Sequence, residues 1–295
     1  MKTWRLRVRP LSPWATPWRA DSLFGAVCWR WLELFPDSFE SMLTGFSIGE
    51  TPPFLLSDAW PSDLMPLPLH VSPNAPGKKL KPPLYISSSD FTAVSRGEMA
   101  GADCAASPIV SSSRVQSSVD RDLGTAADGQ LFETDVQHLS SSIPCLSLYI
   151  RSVSYLQQVL ACLKAQSKIG FGKKSSTGLG QFDIEGLPES CEWLDEFAGA
   201  NAWTALSHFV PAVQDPVQGY WRTHVTYPKF HGNAAANVFK GSFTMLTPGA
   251  VFRTSREKVR PWYGRMLSVP RPEMPNALHY GLAFSAPVVW KGEKT

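Results

Sequence analysis

Apolar and polar residues alternate strictly at the start of the chain. Trp4, Leu6 and Val8 fall on one face of an extended segment and Arg5, Arg7 and Arg9 on the other, which predicts a half-buried strand. A Pro-rich loop, SPWATPWR, follows from Ser12 to Arg19, and the period then changes. Leu23, Phe24, Val27, Trp31, Leu32 and Phe35 recur at helical spacing behind an Asp21-Ser22 start signal, and Pro36 ends the stripe.

Between Thr51 and Pro83 prolines are dense, so irregular segments and edge strands are expected, with Leu84 to Ile86 as one strand. Ser95 to Leu139 is rich in Gly, Ala, Ser and Asp and has little periodicity, which reads as an insertion, partly flexible or ordered by a partner. Ile143 to Arg151 has the composition of a strand. Val153, Leu156, Val159, Leu160 and Leu163 then predict a helix over Ser154 to Gln166, and Leu179 to Ile184 a last strand.

Residues 1–185 thus read β-α-(β-β)-α-β, the split arrangement of a ferredoxin-like (RRM-like) domain carrying an insertion at about 95–139. Residues 186–295 read as a second, β-rich domain. Its expected strands are Trp203–Pro211, Tyr220–Tyr227, Phe239–Leu246 and Leu278–Trp290, with no long helix after Trp203. The fold class is α+β. No tandem repeat is visible, although two sheet-based halves are compatible with a degenerate ferredoxin-like duplication.

Composition narrows this picture without overturning it. With 295 residues, 43% of them apolar, the chain can bury a sizeable core. No apolar run approaches the roughly 18 residues of a membrane span, and the start does not resemble a signal segment, so a cytoplasmic, non-membrane protein is expected. The five cysteines are scattered without a CxxC pair, which disfavours a disulfide framework and zinc and suggests reduced, mostly buried thiols.

Net charge is only +3, but its distribution is uneven. Residues 136 to 182 hold five Lys/Arg and no Asp/Glu, and residues 220 to 265 hold eight Lys/Arg against Glu257 alone. Between them Asp183, Glu185, Glu189, Glu192, Asp195 and Glu196 form an acidic segment, read as a linker or outer face.

The first basic block contains KIGFGKKSSTGLGQF, Lys168 to Phe182, with four glycines, three lysines and three hydroxyl side chains. Glycine lets main-chain N–H groups approach an anion, and lysine and hydroxyl groups suit phosphate oxygens. The nucleotide P-loop spacing fails because Gly172-Lys173 is followed by Lys174, and the dinucleotide fingerprint fails because Ser175 stands where a third glycine is required. A polyanion is the ligand this context favours. The candidate contacts are Lys168, Gly170, Gly172, Lys173, Lys174, Ser175, Ser176, Thr177, Gly178 and Gly180, with Phe171 anchoring the loop in the core. Arg19, Arg114, Arg121 and Arg256 are further candidates.

Catalytic chemistry is not legible. The six histidines show no HExxH or other ligand spacing, and Asp120 and Asp122 flank Arg121 as a local ion-paired turn would. No catalytic residue, metal ligand or cofactor is assigned. The eleven tryptophans could line a carbohydrate surface, but most fall on helical or strand positions that belong to a core. Trp14 and Trp18 are the exceptions: each could stack a base, cover a subunit interface or cap the core.

These segments resemble the RAMP superfamily of CRISPR effector proteins. Gly170-Phe171-Gly172 and Gly178-Leu179-Gly180 look like its signature glycine-rich loop, between the second helix and last strand of a ferredoxin-like unit. RPLSPWATPWRADSLFGAVCW (Arg9 to Trp29), SRVQSSVDRDLGTAADGQLFETD (Ser113 to Asp135) and HYGLAF (His279 to Phe284) are similar to segments of the type III-A (Csm) subunit that caps the guide RNA 5′ handle. Thr51 to Pro83 and Asn201 to Phe239 match no family segment. The resemblance implies a noncatalytic protein that binds the crRNA 5′ handle, docks on a large polymerase-like subunit and starts a row of backbone RAMP subunits. It also implies an alternative: a metal-independent RNA-processing nuclease of the same superfamily, using His138 or His231 with a lysine.

Overall fold

The computed structural model describes residues 1–47, 51–73, 83–99, 101–119, 126–195, 198–230, 237–254 and 258–291. The opening alternation forms the strand Lys2–Pro10, with Leu6 and Val8 buried. Its arginines do not face open solvent unpaired. They lie in register with the antiparallel strand Phe182–Ser190, Arg5 opposite Glu189, Arg7 opposite Glu185 and Arg9 opposite Asp183. Arg5 pairs with Glu189 and Asp63, Arg7 with Glu189, and Arg9 with Asp183 and Glu185. The acidic segment read as a linker or outer face is therefore, in its first half, the cross-strand partner of the arginine row.

These strands belong to a four-stranded sheet in the order Phe182–Ser190, Lys2–Pro10, Leu146–Ser152, Phe54–Pro61, with every pairing antiparallel. Helix α1 (Ala20–Leu34) and helix α4 (Leu156–Ser167) of this unit pack together. Two elements differ from expectation. Pro36 does not simply end α1 but begins a second helix, α2 (Pro36–Ser47), because proline lacks only the N–H that a first helical turn leaves unused. Phe54–Pro61, in the stretch expected to hold irregular segments and edge strands, is an edge strand of this sheet, but one buried along its whole length. It has no alternation to read because both faces are covered.

Within the segment read as an insertion, partly flexible or ordered by a partner, the described residues form regular strands. After α3 (Ser88–Ser95), the strands Ile109–Val119 and Ala126–Leu139 pair as a long antiparallel ribbon. Val115 and Leu131 are exposed on it, whereas Thr134 and Val136 are buried near its root. A ribbon with so little covered surface needs no apolar periodicity.

Beyond residue 186 a five-stranded sheet runs in the order Gly219–Tyr220, Val251–Arg253, Ala202–Ala205, Leu282–Val288, Trp262–Gly264. Trp203 stacks on Tyr263 in its core, centroids 4.0 Å apart. No α-helix follows Trp203 among the described residues, and no helix is long and apolar enough to cross a membrane. The first unit's hydrophobic core continues into Leu206, Tyr280, Leu282, Phe284 and Ala286, so the halves share one interior. Arg151, 2% exposed, pins them: it donates to the carbonyls of Leu194, Pro261 and Ser285 and to Thr3 Oγ1, with its guanidinium over Phe284.

Candidate nucleic-acid interface

The glycine loop leaves α4 and returns to the sheet as a compact knot. Gly170, Gly172, Lys174, Gly178 and Gly180 all have positive φ. The need is strictest at Gly180, where a Cβ would stand 2.0 Å from the Phe171 carbonyl oxygen. The two residues close the loop through Phe171 N–H to the Gly180 carbonyl, 2.7 Å, and Gly180 N–H reaches the Pro13 carbonyl, 2.8 Å. At Gly172 a Cβ would meet Thr16, whose Oγ1 accepts from Lys173 N–H at 2.8 Å. The Pro-rich loop before α1 is therefore the platform of the glycine loop.

Trp14 and Trp18 belong to that platform. They are 1% and 6% exposed, which decides among their three possible uses in favour of capping the core. Trp14 exchanges both main-chain bonds with Gln137 of the ribbon, and its indole N–H donates to Gln137 Oε1 at 3.1 Å. Trp18 packs on Phe171 and Phe182. Phe171 is buried, as its expected anchoring role requires.

The outer surface of the knot carries the chemistry. Lys168, Lys173, Ser176, Thr177 and Gly178 are exposed, and Gly172, Lys174 and Ser175 are half-buried. Gly170 and Gly180 are buried, so they shape the loop and cannot themselves touch a ligand. The bonds that hold the loop consume the amides of Phe171, Lys173, Thr177, Gly178, Leu179 and Gly180; none involves the amides of Gly172, Lys174, Ser175 or Ser176. The expected cradle is narrower than the sequence implies, because most of its N–H groups are spent internally. Lys174, a non-glycine residue at φ 65°, places its Nζ 4.8 Å from the ring centroid of Phe132 on the ribbon. Arg114 is exposed and shares a ribbon face with Phe132, since Arg114 pairs with Thr134 and Gln116 with Phe132. Loop and ribbon thus present Lys173, Lys174 and Arg114 on neighbouring surfaces, an array suited to a phosphate chain.

Arg19 is not part of that array. Its Nη1 lies 2.8 Å from His224 Nε2, across the junction of the two halves. The imidazole accepts there, and burial, with Arg19 and His208 adding to it, lowers the His224 pKa. Beside it, Asp58 is 4% exposed and accepts from Ala20 N–H at 2.9 Å, supplying the α1 cap that Arg19 does not; His208 Nδ1 stands 2.6 Å from its other oxygen. No sequence pattern marks Asp58, His208, His224 and Arg222, since nothing in the spacing of residues 150 positions apart announces a pair. Arg121, Arg256, His231, Asp120 and Asp122 lie outside the described residues. The ring of His138 bonds the Leu139 carbonyl at 3.0 Å. Among the described residues no group of His, Cys, Asp and Glu side chains could hold a metal ion, and the five cysteines are free.

The sequence matches no protein-family model, and comparison with curated proteins finds no relative. Solved structures do match. A chain of the Csm1–Csm4 cassette in complex with cA4 superposes with a TM-score of 0.64 at 17% identity, covering 99% of this chain and 100% of that one. A chain of the same cassette with AMPPNP gives 0.62 at 18% identity with the same coverage. A chain of the Csm3–Csm4 subcomplex of the type III-A CRISPR-Cas interference complex gives 0.60 at 14% identity, covering 97% and 99%. From end to end, the chain has the fold of subunits in type III-A Csm assemblies.

Proposed function

We propose that this chain is the RNA-binding subunit of a type III-A CRISPR effector complex that holds the crRNA 5′ handle and does not cut RNA. In this reading it docks on the large polymerase-like subunit and starts the row of backbone RAMP subunits, in the cytoplasm. The observation that carries it is the outer face of the glycine loop. Exposed lysine, hydroxyl groups and unconsumed amides sit there on a loop packed against Thr16 and Trp18 through Lys173 and Phe171, on a fold shared end to end with chains of Csm assemblies. The strand order of the first sheet supports a ferredoxin-like unit, whose last strand, Phe182–Ser190, runs past the boundary expected at residue 185, and the five-stranded sheet beyond it supports the second, β-rich domain of the same reading.

Two measurements test it. Purification from cells containing the whole system, with sequencing of bound RNA, should return guides whose repeat-derived 5′ ends are protected; RNA of unrelated sequence would contradict handle binding. The isolated chain should leave repeat RNA intact with or without metal. Products ending in 2′,3′-cyclic phosphate, lost in His138→Ala or His231→Ala, would favour the nuclease reading instead.

A further inference from the structure

The edges of the two main sheets are guarded. Phe182–Ser190 carries Gly186, Pro188 and three carboxylates, and Phe54–Pro61 is buried. In the five-stranded sheet Gly219–Tyr220 is only two residues long, and at Trp262–Gly264 the Gly264 N–H is taken by Asp215 Oδ2 at 2.7 Å. Such devices keep an edge from pairing with another chain. The ribbon strand Ile109–Val119 has none of them: IVSSSRVQSSV runs for eleven residues without proline or glycine, and Arg114 is its one charge.

The register shows which main-chain groups lie on its open side. Gln137 exchanges both main-chain bonds with Trp14, so its N–H and carbonyl point away from Ile109–Val119, and Ser111 with Gln137 is a non-hydrogen-bonded pair of the ribbon. The register is unbroken as far as Ser117, so Ser113, Val115 and Ser117 share the parity of Ser111. Each of the four turns its N–H and its carbonyl outward. Ile109, of the same parity, already donates outside the ribbon, to Ser107 Oγ at 3.2 Å. All four are exposed, and none makes a main-chain bond to a described residue on that side.

Their side chains share the outer face of the ribbon with Asp135, Glu133 and Leu131. Among the described residues of that face there are two carboxylates and no lysine or arginine, and Val115 and Leu131 are 59% and 73% exposed. Arg114 and Phe132 lie on the opposite face. A phosphate chain is repelled by the outer face, and a second copy of this chain would bring it the same carboxylates. Its complement is a basic strand, whose long side chains can pass over Ser111 and Ser113 to the carboxylates one strand further in.

We propose that the Ile109–Val119 edge accepts an extended segment of a partner protein as a third strand of the ribbon, with lysine or arginine at alternate positions laid over Asp135 and Glu133. Main-chain pairing holds the segment and the carboxylates select it. The surface is separate from the glycine loop and does not depend on how that loop is read.

The test follows backbone amide exchange by NMR in the full chain. The probes, at millimolar concentration, are a blocked heptapeptide of alternating Lys and Thr, its counterpart with Glu for Lys, the Lys peptide N-methylated at each Lys, and a single-stranded RNA. The Lys peptide should slow exchange at Ser111, Ser113, Val115 and Ser117 by roughly tenfold at saturation and leave Ser112, Arg114 and Gln116, already bonded across the ribbon, unchanged. The N-methylated peptide should slow none of them. The Glu peptide should bind roughly tenfold more weakly, and Glu133→Lys/Asp135→Lys should reverse that preference. Val115→Pro gives up an N–H that the ribbon does not use, so the ribbon should persist while peptide binding is lost. Unchanged exchange with the Lys peptide, equal slowing by its N-methylated form, equal binding of the Lys and Glu peptides, or protection of the same four amides by RNA would each overturn the proposal.

Discussion

Trp18 and Phe171 lie 4.5 Å apart, ring centroid to centroid, so an indole of the Pro-rich loop packs directly on the glycine loop. The Pro-rich loop is therefore a support of the glycine loop. Replacing Trp18 with Ala removes a side chain in contact with Phe171, Phe182 and Trp14 and should cost about 3–5 kcal/mol. Chemical denaturation should show that loss, and RNA affinity should fall with it although Trp18 is too buried to touch RNA through the loop. Unchanged affinity in a destabilised Trp18→Ala protein would break the link between platform and loop.

The loop's glycines should divide by geometry. Gly180→Ala combines a left-handed φ of 68° with a clash against the Phe171 carbonyl, and should cost about 2–5 kcal/mol. Gly178→Ala has a similar φ but nothing within 4 Å, so strain alone of about 1–2 kcal/mol is expected. Thermal melts of the two variants should separate clearly, with Gly180→Ala the lower.

Arg151 should be a stability residue rather than an RNA contact. Burial lowers its pKa to about 10, yet it stays charged, engaged by three carbonyls, Thr3 and the looser Asp195. Arg151→Met leaves those acceptors without their donor and should cost about 3–5 kcal/mol. Arg151→Lys should rescue little, because one ammonium cannot span acceptors from three segments. Denaturation midpoints of both variants decide this.

Acid should weaken the fold before the carboxylates titrate. Burial lowers the pKa of His70 to about 4, and burial with Lys240 nearby lowers that of His279 to about 3; His224 is lowered as well. Each binds its proton more readily when unfolded, near the ordinary value of about 6.5, so stability is full above that pH and declines as pH falls toward the folded values. Asp21, raised by burial and then by Asp58, acts oppositely, its contribution fading as pH rises through its elevated pKa. Melting temperature should drop between pH 7 and pH 5, and His70→Gln should flatten the drop. An identical profile in His70→Gln would exclude His70 as a contributor.

Legibility followed burial. The first strand and α1 could be read because each buries one face, leaving Leu6 and Val8, or Leu23, Phe24, Val27 and Trp31, as a visible period. Phe54–Pro61 hid because it is buried throughout, and the ribbon because it is scarcely buried at all. Composition marks the glycine loop as a candidate anion site, but not which amides it spends on itself, since that depends on Thr16 and Pro13 from the opposite end of the domain. Asp58, His208 and Arg222 meet only through the packing of the two halves, which no local pattern encodes.

The proposed grip of the glycine loop on RNA phosphates is tested most directly by the salt dependence of binding. Affinity for repeat-derived single-stranded RNA should be measured across a salt series for the native chain and for Lys173→Ala/Lys174→Ala. The variant should bind more weakly and lose up to about two units of log–log slope, as expected when two phosphate contacts and their released counterions disappear. Equal affinity and equal slope in the two proteins would contradict the assignment of RNA binding to this loop.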